Sequence, residues 1–338
     1  MSVGVADQFD LFGGVDPAER VGVAPVTAEL EALATALPRG LRLGTSSWSF
    51  PGWAGVVYGR RVSESLLARD GLRSYARHAL FSTVGLDRTF YAPMAAEEFR
   101  RLAAQVPPTF RFMVKAHAAI TTPPDQRGRV NESEGAHRFL DASYTCDRVV
   151  VPAVEGLGAQ LGVILFQFPP LGARFLRDLD PMLSRLDAFF EALPRGPQYA
   201  VEVRDSAFLN SEYGRVLARH GVGHCFNVHP RMPSVLVQYE RLEASLVPPP
   251  CSVVRWMLHP TLDYEAARER YFPFDHVLDP DFTRRRELAE LIEKLLVPEN
   301  EVLVVANNKA EGSAPLSLRA LAGEVVARQS LQSTGAAR

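Results

Sequence analysis

The sequence predicts a closed (β/α)8 barrel, an α/β fold with parallel strands. Three observations point there. Eight short β-rich runs alternate with longer amphipathic segments, several of the runs are almost wholly apolar, and no glycine-rich phosphate loop follows the first run. Alternation implies parallel pairing, because a parallel connection is long enough to hold a helix. Apolar runs belong to strands covered on both faces. The rival, an open doubly wound sheet, is normally marked by GxGxxG or GxxxxGKS after its first strand, and neither motif is present there.

Taken in order, the strands are read at LRLGTSS (41 to 47), FSTVGLD (81 to 87), FRFMVKA (110 to 116), LGVILFQ (161 to 167), QYAVEV (198 to 203), VGHCFNV (222 to 228), SVVRWML (252 to 258) and EVLVVAN (301 to 307). Helical spacing of apolar residues marks 63 to 79, 95 to 105, 135 to 155, 181 to 193, 283 to 296 and 315 to 329. It is faintest after the fifth and sixth strands. The segments after strands 3 (ITTPPDQRGRVNESEG), 6 (HPRMPSVLVQYERLEASLVPPP) and 7 (HPTLDYEAARERYFPFDHVLDP) exceed ordinary βα loops and are read as long loops, walls or lids of a binding site. Residues 1–40 show no sustained period and are expected to form a flexible extension. Residues 41–329 make one barrel domain, and 330–338 a short polar tail.

Composition narrows the class. With 47% hydrophobic residues in 338, the chain has enough apolar surface for a sizeable core, which excludes wholesale disorder. A formal charge of -2 gives no bulk attraction to nucleic acid or membrane, so an anionic partner has to meet a local patch. The three cysteines, Cys146, Cys225 and Cys251, form no CxxC pair, and no basic leader or long apolar run is seen. A cytoplasmic protein with no membrane contact is expected.

Six motifs recur in a fixed order: GTSSWSFPGW (44 to 53), TVGLDRTFYAP (83 to 93), FMVKAH (112 to 117), LGVILFQFPP (161 to 170), VEVRDSAF (201 to 208) and ANNKAEGSAP (306 to 315). In these the chain resembles the YecE-like proteins, domain of unknown function 72, over roughly residues 41 to 325. The resemblance implies a TIM-barrel-like fold with no established activity. It also implies departures. The family pattern has Glu and Asn where this chain has Gly85 and Asp87, a tryptophan at Ala207, and a His-Gly pair at Met257 and Leu258, a role that His259 and Pro260 would take up two residues on.

In such barrels chemistry gathers at the carboxyl ends of the strands. Glu202 and Arg204 share one face of the fifth strand, about 6.6 Å apart, and a carboxylate facing the interior requires a cation partner. Glu202 is therefore a candidate acid or base or a structural ion pair, with Asp205 just beyond. Only Lys115, Lys294 and Lys309 are lysines, which leaves 34 arginines among the 37 basic residues. Two of these three amines sit in site-like motifs, and a buried amine can lose its proton where guanidinium cannot. Lys115 is accordingly a catalytic candidate. Asn307, Asn308, Lys309, Gly312 and Ser313 form a candidate anion cradle before a helix with Pro315 in its first turn, or a simple helix cap. Arg255 would balance charge, Gln167 would supply a directed hydrogen bond, and Trp48 and Tyr91, with Phe50 and Trp53 nearby, would stack a ring or seal the core.

A divalent metal held by Asp87, His117 or His259, with His229, Glu202 and Asp205 in reach, is a further alternative that no HxH or HExxH spacing supports. In the tail, Gln8-Phe9-Asp10-Leu11-Phe12 resembles the short peptide by which bacterial replication and repair proteins dock on the DNA sliding clamp. The expectation is a barrel enzyme, of hydrolase type, acting on a phosphate-bearing or otherwise anionic substrate such as a nucleic acid, nucleotide or sugar phosphate. The alternative is a non-catalytic nucleic-acid or nucleotide binding module recruited through Gln8, Asp10, Leu11 and Phe12.

Overall fold

The computed structural model describes residues 20–123 and 138–335. Eight parallel strands close into one ring in sequence order: β1 Leu41–Thr45, β2 Phe81–Leu86, β3 Arg111–Lys115, β4 Leu161–Gln167, β5 Tyr199–Glu202, β6 Gly223–Val228, β7 Cys251–Trp256 and β8 Glu301–Ala306. Closure is made where Leu41 through Thr45 pair with Val302 through Ala306. Most predicted runs overshoot the strands by one or two residues at the carboxyl end, where the chain leaves the sheet to build the mouth.

Helices Glu64–Tyr75, Ala96–Ala103, Asp180–Glu191, Phe282–Leu295 and Ala314–Gly335 lie where periodicity put them. The helix expected at 135 to 155 is found over 142–157, as Ala142–Thr145 and Val151–Leu157 joined by a π-helical segment Cys146–Val150. Three helices were not legible: Ser211–Arg219, Val235–Leu242 and Tyr264–Tyr271. Each is short, and each is started by a side-chain cap. Asn210 accepts from the Tyr213 amide at 3.0 Å, Ser234 from Val237 at 3.4 Å and Asp263 from Ala266 at 2.8 Å. The long segments after β6 and β7 therefore hold helices and are not open loops. Most of the segment after β3 (124–137) lies outside the described residues, as do Gln8, Asp10, Leu11 and Phe12.

The flexible extension expected over 1–40 is corrected from residue 20 onward. Helix Ala28–Ala36 is capped by Thr27, Val21, Ala24 and Leu30 are buried, and Glu29 pairs with Arg319 at 3.0 Å. At the other end, the last helix runs to Gly335 without a break at 330. Among the described residues no helix is long and apolar enough to cross a membrane.

Apolar side chains fill two compartments, one between strands and helices and one inside the ring. The inner core is Met113, Val163, Leu165, Ala200, Cys225, Cys251, Val253, Leu303 and Val305. Below it, at the amino-terminal end, Arg42 and Arg111 both pair with Glu301. Above it the period-two alternation delivers polar residues. Lys115 follows Met113, Gln167 follows Leu165, Glu202 follows Ala200, Asn227 follows Cys225 and Arg255 follows Val253, each on the inward face of its strand.

Candidate functional site

Glu202 is completely buried, and so, at 1% exposure, is Arg255. Such burial costs several kcal/mol per ion unless the partners fit closely. Here they do. Arg255 Nη1 donates to Glu202 Oε2, and Arg255 Nη2 reaches Asp87 Oδ1 at 3.3 Å. Arg204 Nη2 lies 2.5 Å from Glu202 Oε1 as a charge contact without hydrogen-bond alignment, while its Nη1 donates to Asn227 Oδ1 at 3.1 Å. Asn227 in turn donates to the Val203 carbonyl. Burial by itself would raise the Glu202 pKa, but Arg204, Arg255 and Lys115 outweigh it and bring it down to about 2. Burial likewise works against charge on Arg255, and Glu202 and Asp87 reverse this and hold the guanidinium protonated.

Lys115 stands beside this network without joining it. Its ammonium lies 3.8 Å from the centre of the Phe90 ring, and among the described residues no acceptor bonds it. Thr89 fixes the end of β3 by donating to the Lys115 carbonyl at 2.6 Å. Desolvation lowers the Lys115 pKa to about 8; Asp87 and Glu202 resist the fall, whereas Arg255 and Arg204 reinforce it. Lys309 is built alike. Its ammonium sits 4.1 Å from the Tyr264 ring and 5.8 Å from Phe274, again with no acceptor among the described residues. Burial pushes its pKa down as well. Asp87 acts electrostatically on both lysines.

The remaining sequence candidates divide by position. Gln167 bonds the Phe168 carbonyl at the rim, and Tyr91, 73% exposed, stands in solvent at the edge of the mouth. Trp48 is buried and donates to Leu67, and Trp53 is buried and donates to Asn308, so both tie loops to the barrel and expose no ring face. Asn307 accepts from the Lys309 amide at 3.0 Å, and Asn308 accepts from Ala314 at 2.8 Å. Ser313 is fully buried. Gly312, at φ +120°, packs so closely under the 276–278 backbone that an added Cβ would stand 2.5 Å from the His276 carbonyl. The space over Gly312 in the expected cradle is therefore taken by the 276–278 backbone, while Ser313 Oγ and Asn308 Nδ2 are buried without a hydrogen-bond partner among the described residues. Asp205 accepts from Leu171 at 2.6 Å and Arg231 at 3.2 Å, linking the ends of β4, β5 and β6 and leaving Glu202 without it.

The expected metal ligands do not converge. His117 bonds the Tyr144 hydroxyl at 2.9 Å, His259 bonds Thr261, Asp87 bonds Arg255, and among the described residues no three His, Cys, Asp or Glu side chains are grouped to hold an ion. His259 lines a depression of about 470 Å³ with Thr261, Leu262, Arg270, Asp279 and Pro280, a set that shares no residue with the Glu202 network. His229 lies near that network. Burial first, then Arg204, lowers its pKa to about 4, and its Nδ1 accepts from the Arg231 amide at 3.2 Å. Sequence reasoning missed Phe90, Asn227, Tyr264 and Phe274. Asn227 was open to the period-two argument that found Glu202, whereas the aromatic partners come from separate loops and carry no local signal.

The sequence matches the family described as Protein of unknown function DUF72 over residues 42–337. The chain belongs to the DUF72 family. Among solved DUF72 proteins, one from Thermotoga maritima is 22% identical with a TM-score of 0.54, covering 83% of this chain and 97% of that one. A second, from Enterococcus faecalis, is 16% identical with a TM-score of 0.56, covering 84% of this chain and 95% of that one. These likenesses establish the shared barrel. UPF0759 protein YunF of Bacillus subtilis is 32% identical over 99 residues, a stretch that covers 29% of this chain and 32% of that protein, so the chain spans about a third of the relative's length. At Gly85, the terminal methyl of Met113 lies 3.0 Å from where a Cβ would stand.

Proposed function

We propose that this DUF72 barrel is an enzyme acting on a small anionic substrate, phosphate- or carboxylate-bearing, with Lys115 as the group that exchanges protons with it. The supporting observation is an amine buried at the carboxyl end of β3, with no acceptor among the described residues, beside two guanidinium groups. The mouth gathers four cations, Arg204, Arg255, Lys115 and Lys309, against two carboxylates, Glu202 and Asp87. The surplus is two positive charges, which favours an anion in a site of low dielectric.

The hydrolytic expectation had Glu202 as base or acid. A carboxylate clamped between two arginines and held near pKa 2 is a poor proton acceptor at neutral pH. Its role in this reading is to fix the arginines, and the proton carrier is Lys115. Tyr91 and Tyr264 would flank a bound molecule at the rim. The test is a panel of phosphorylated and carboxylated metabolites, scored for thermal stabilisation and for turnover, with wild type against Lys115→Met. Stabilisation by anions together with turnover that the variant lacks supports the proposal, and indifference to every anion refutes it. Binding without turnover would favour the nucleotide- or nucleic-acid-binding alternative.

A further inference from the structure

We infer that Lys115 works covalently: its amine condenses with the carbonyl carbon of an anionic oxo compound, an α-oxo acid or a phosphorylated ketone or aldehyde, to give an imine at the barrel mouth. This deepens the preceding proposal and rests on it for the anionic character of the substrate.

Three observations carry the step from anion contact to imine. First, Lys115 is spared the work of binding charge, because Arg204 and Arg255 already present guanidinium groups to the same mouth and guanidinium does not condense with carbonyls. Second, Lys115 Nζ faces the Phe90 ring at 3.8 Å and has no carboxylate acceptor among the described residues, so no ion pair has to break before its lone pair is used. Burial and the neighbouring cations also favour the neutral amine. Third, a proton carrier is at hand. Asp87 uses one oxygen for Arg255, its Oδ2 has no protein donor among the described residues, and its charge acts on Lys115.

The step balances without any further reagent. The ammonium gives up one proton to Asp87 and the freed nitrogen pair bonds to the carbonyl carbon. The carbon-oxygen π pair moves to oxygen, which takes back the proton held by Asp87 to become the carbinolamine hydroxyl. Nitrogen then passes its second proton by way of the same carboxylate to that hydroxyl, which leaves as water as the nitrogen pair forms the C=N bond of a protonated imine. Overall, ammonium and carbonyl become iminium and water, with no net proton, oxidant or reductant.

The test uses the full chain. With three lysines in the sequence, every side-chain adduct maps to one of Lys115, Lys294 or Lys309, and adduct on the α-amino terminus is identified by its own peptide. Protein is incubated with pyruvate, or with acetone as the uncharged counterpart, then reduced with borohydride, digested and analysed by mass spectrometry. The expected result is roughly tenfold more reduced adduct on Lys115 than on Lys294, and roughly tenfold more from pyruvate than from acetone. A Lys115→Met variant should lose that adduct while the Lys294 background stays. Equal labelling of the lysines, or no adduct at Lys115 in wild type, overturns the inference. In parallel, inorganic phosphate is tested for protection of Lys115 against acetic anhydride. Protection with no borohydride-trapped adduct defeats the imine while leaving the anion-binding reading standing, and absence of both defeats the two together.

Discussion

Glu202 and Arg255 are 53 positions apart in the chain and meet as a buried ion pair across the carboxyl end of the barrel. Asp87 holds the second arm of the same guanidinium, and Arg204 covers the other oxygen of the same carboxylate. Three strand ends, those of β2, β5 and β7, are joined in one connected set of charges, which gives the mouth a fixed floor. Lys115 lies beside that floor with its amine uncommitted.

Removing one partner should expose the cost of this arrangement. Glu202→Gln leaves the buried Arg204 guanidinium without a counter-charge and Arg255 with Asp87 alone, and a loss of about 3–5 kcal/mol is expected. Urea unfolding at pH 7 measures it. A loss under about 1 kcal/mol would show that the pair is solvated in solution.

Acid should act through the same carboxyl. In the unfolded chain Glu202 titrates near ~4.3, and in the fold it is held at about 2, so its contribution is complete above the unfolded value. As pH falls through that interval the unfolded state binds the proton first and stability is lost. Wild type should therefore lose stability between pH 5 and pH 2 more steeply than Glu202→Gln, read from denaturation midpoints over that range.

Lys115 should show the opposite dependence. Its folded pKa, about 8, is below that of a free lysine, so between pH 8 and pH 10 the unfolded chain binds more protons and stability rises with pH. Lys115→Met removes this rise and should match or exceed the wild-type stability at pH 7, because an uncompensated buried cation is gone. Paired melts of the two proteins from pH 7 to pH 10 decide the point, and parallel curves would contradict it.

Asp87 opposes anion binding by its charge and is exposed enough to be replaced without emptying the core. Asp87→Asn should tighten inorganic phosphate binding by roughly fivefold, about 1 kcal/mol, at low salt. Calorimetric titration reads this, and weaker binding in the variant would show that Asp87 chiefly orients Arg255.

Much of this arrangement was readable in advance, and the limits have physical causes. Apolar runs and periodicity disclose strands and long helices because burial repeats with the geometry of the element. That logic placed Glu202, Arg204 and Lys115 at the mouth. It overlooked Ser211–Arg219, Val235–Leu242 and Tyr264–Tyr271, which lie inside long polar connections and are started by side-chain caps. It also read Asn307 to Ser313 as an open cradle, since a glycine and a hydroxyl before a helix look the same whether a ligand or another loop lies against them. Gly312 shows the difference: its missing side chain makes room for His276 and Leu278.

Glu311 is sealed inside, bound in bidentate fashion by Arg285 and by the amide of Asp281, while its carbonyl accepts from Leu278 and Asp279. The stretch roofing Lys309 is thus bolted to the barrel from beneath and cannot swing aside without abandoning a buried carboxylate.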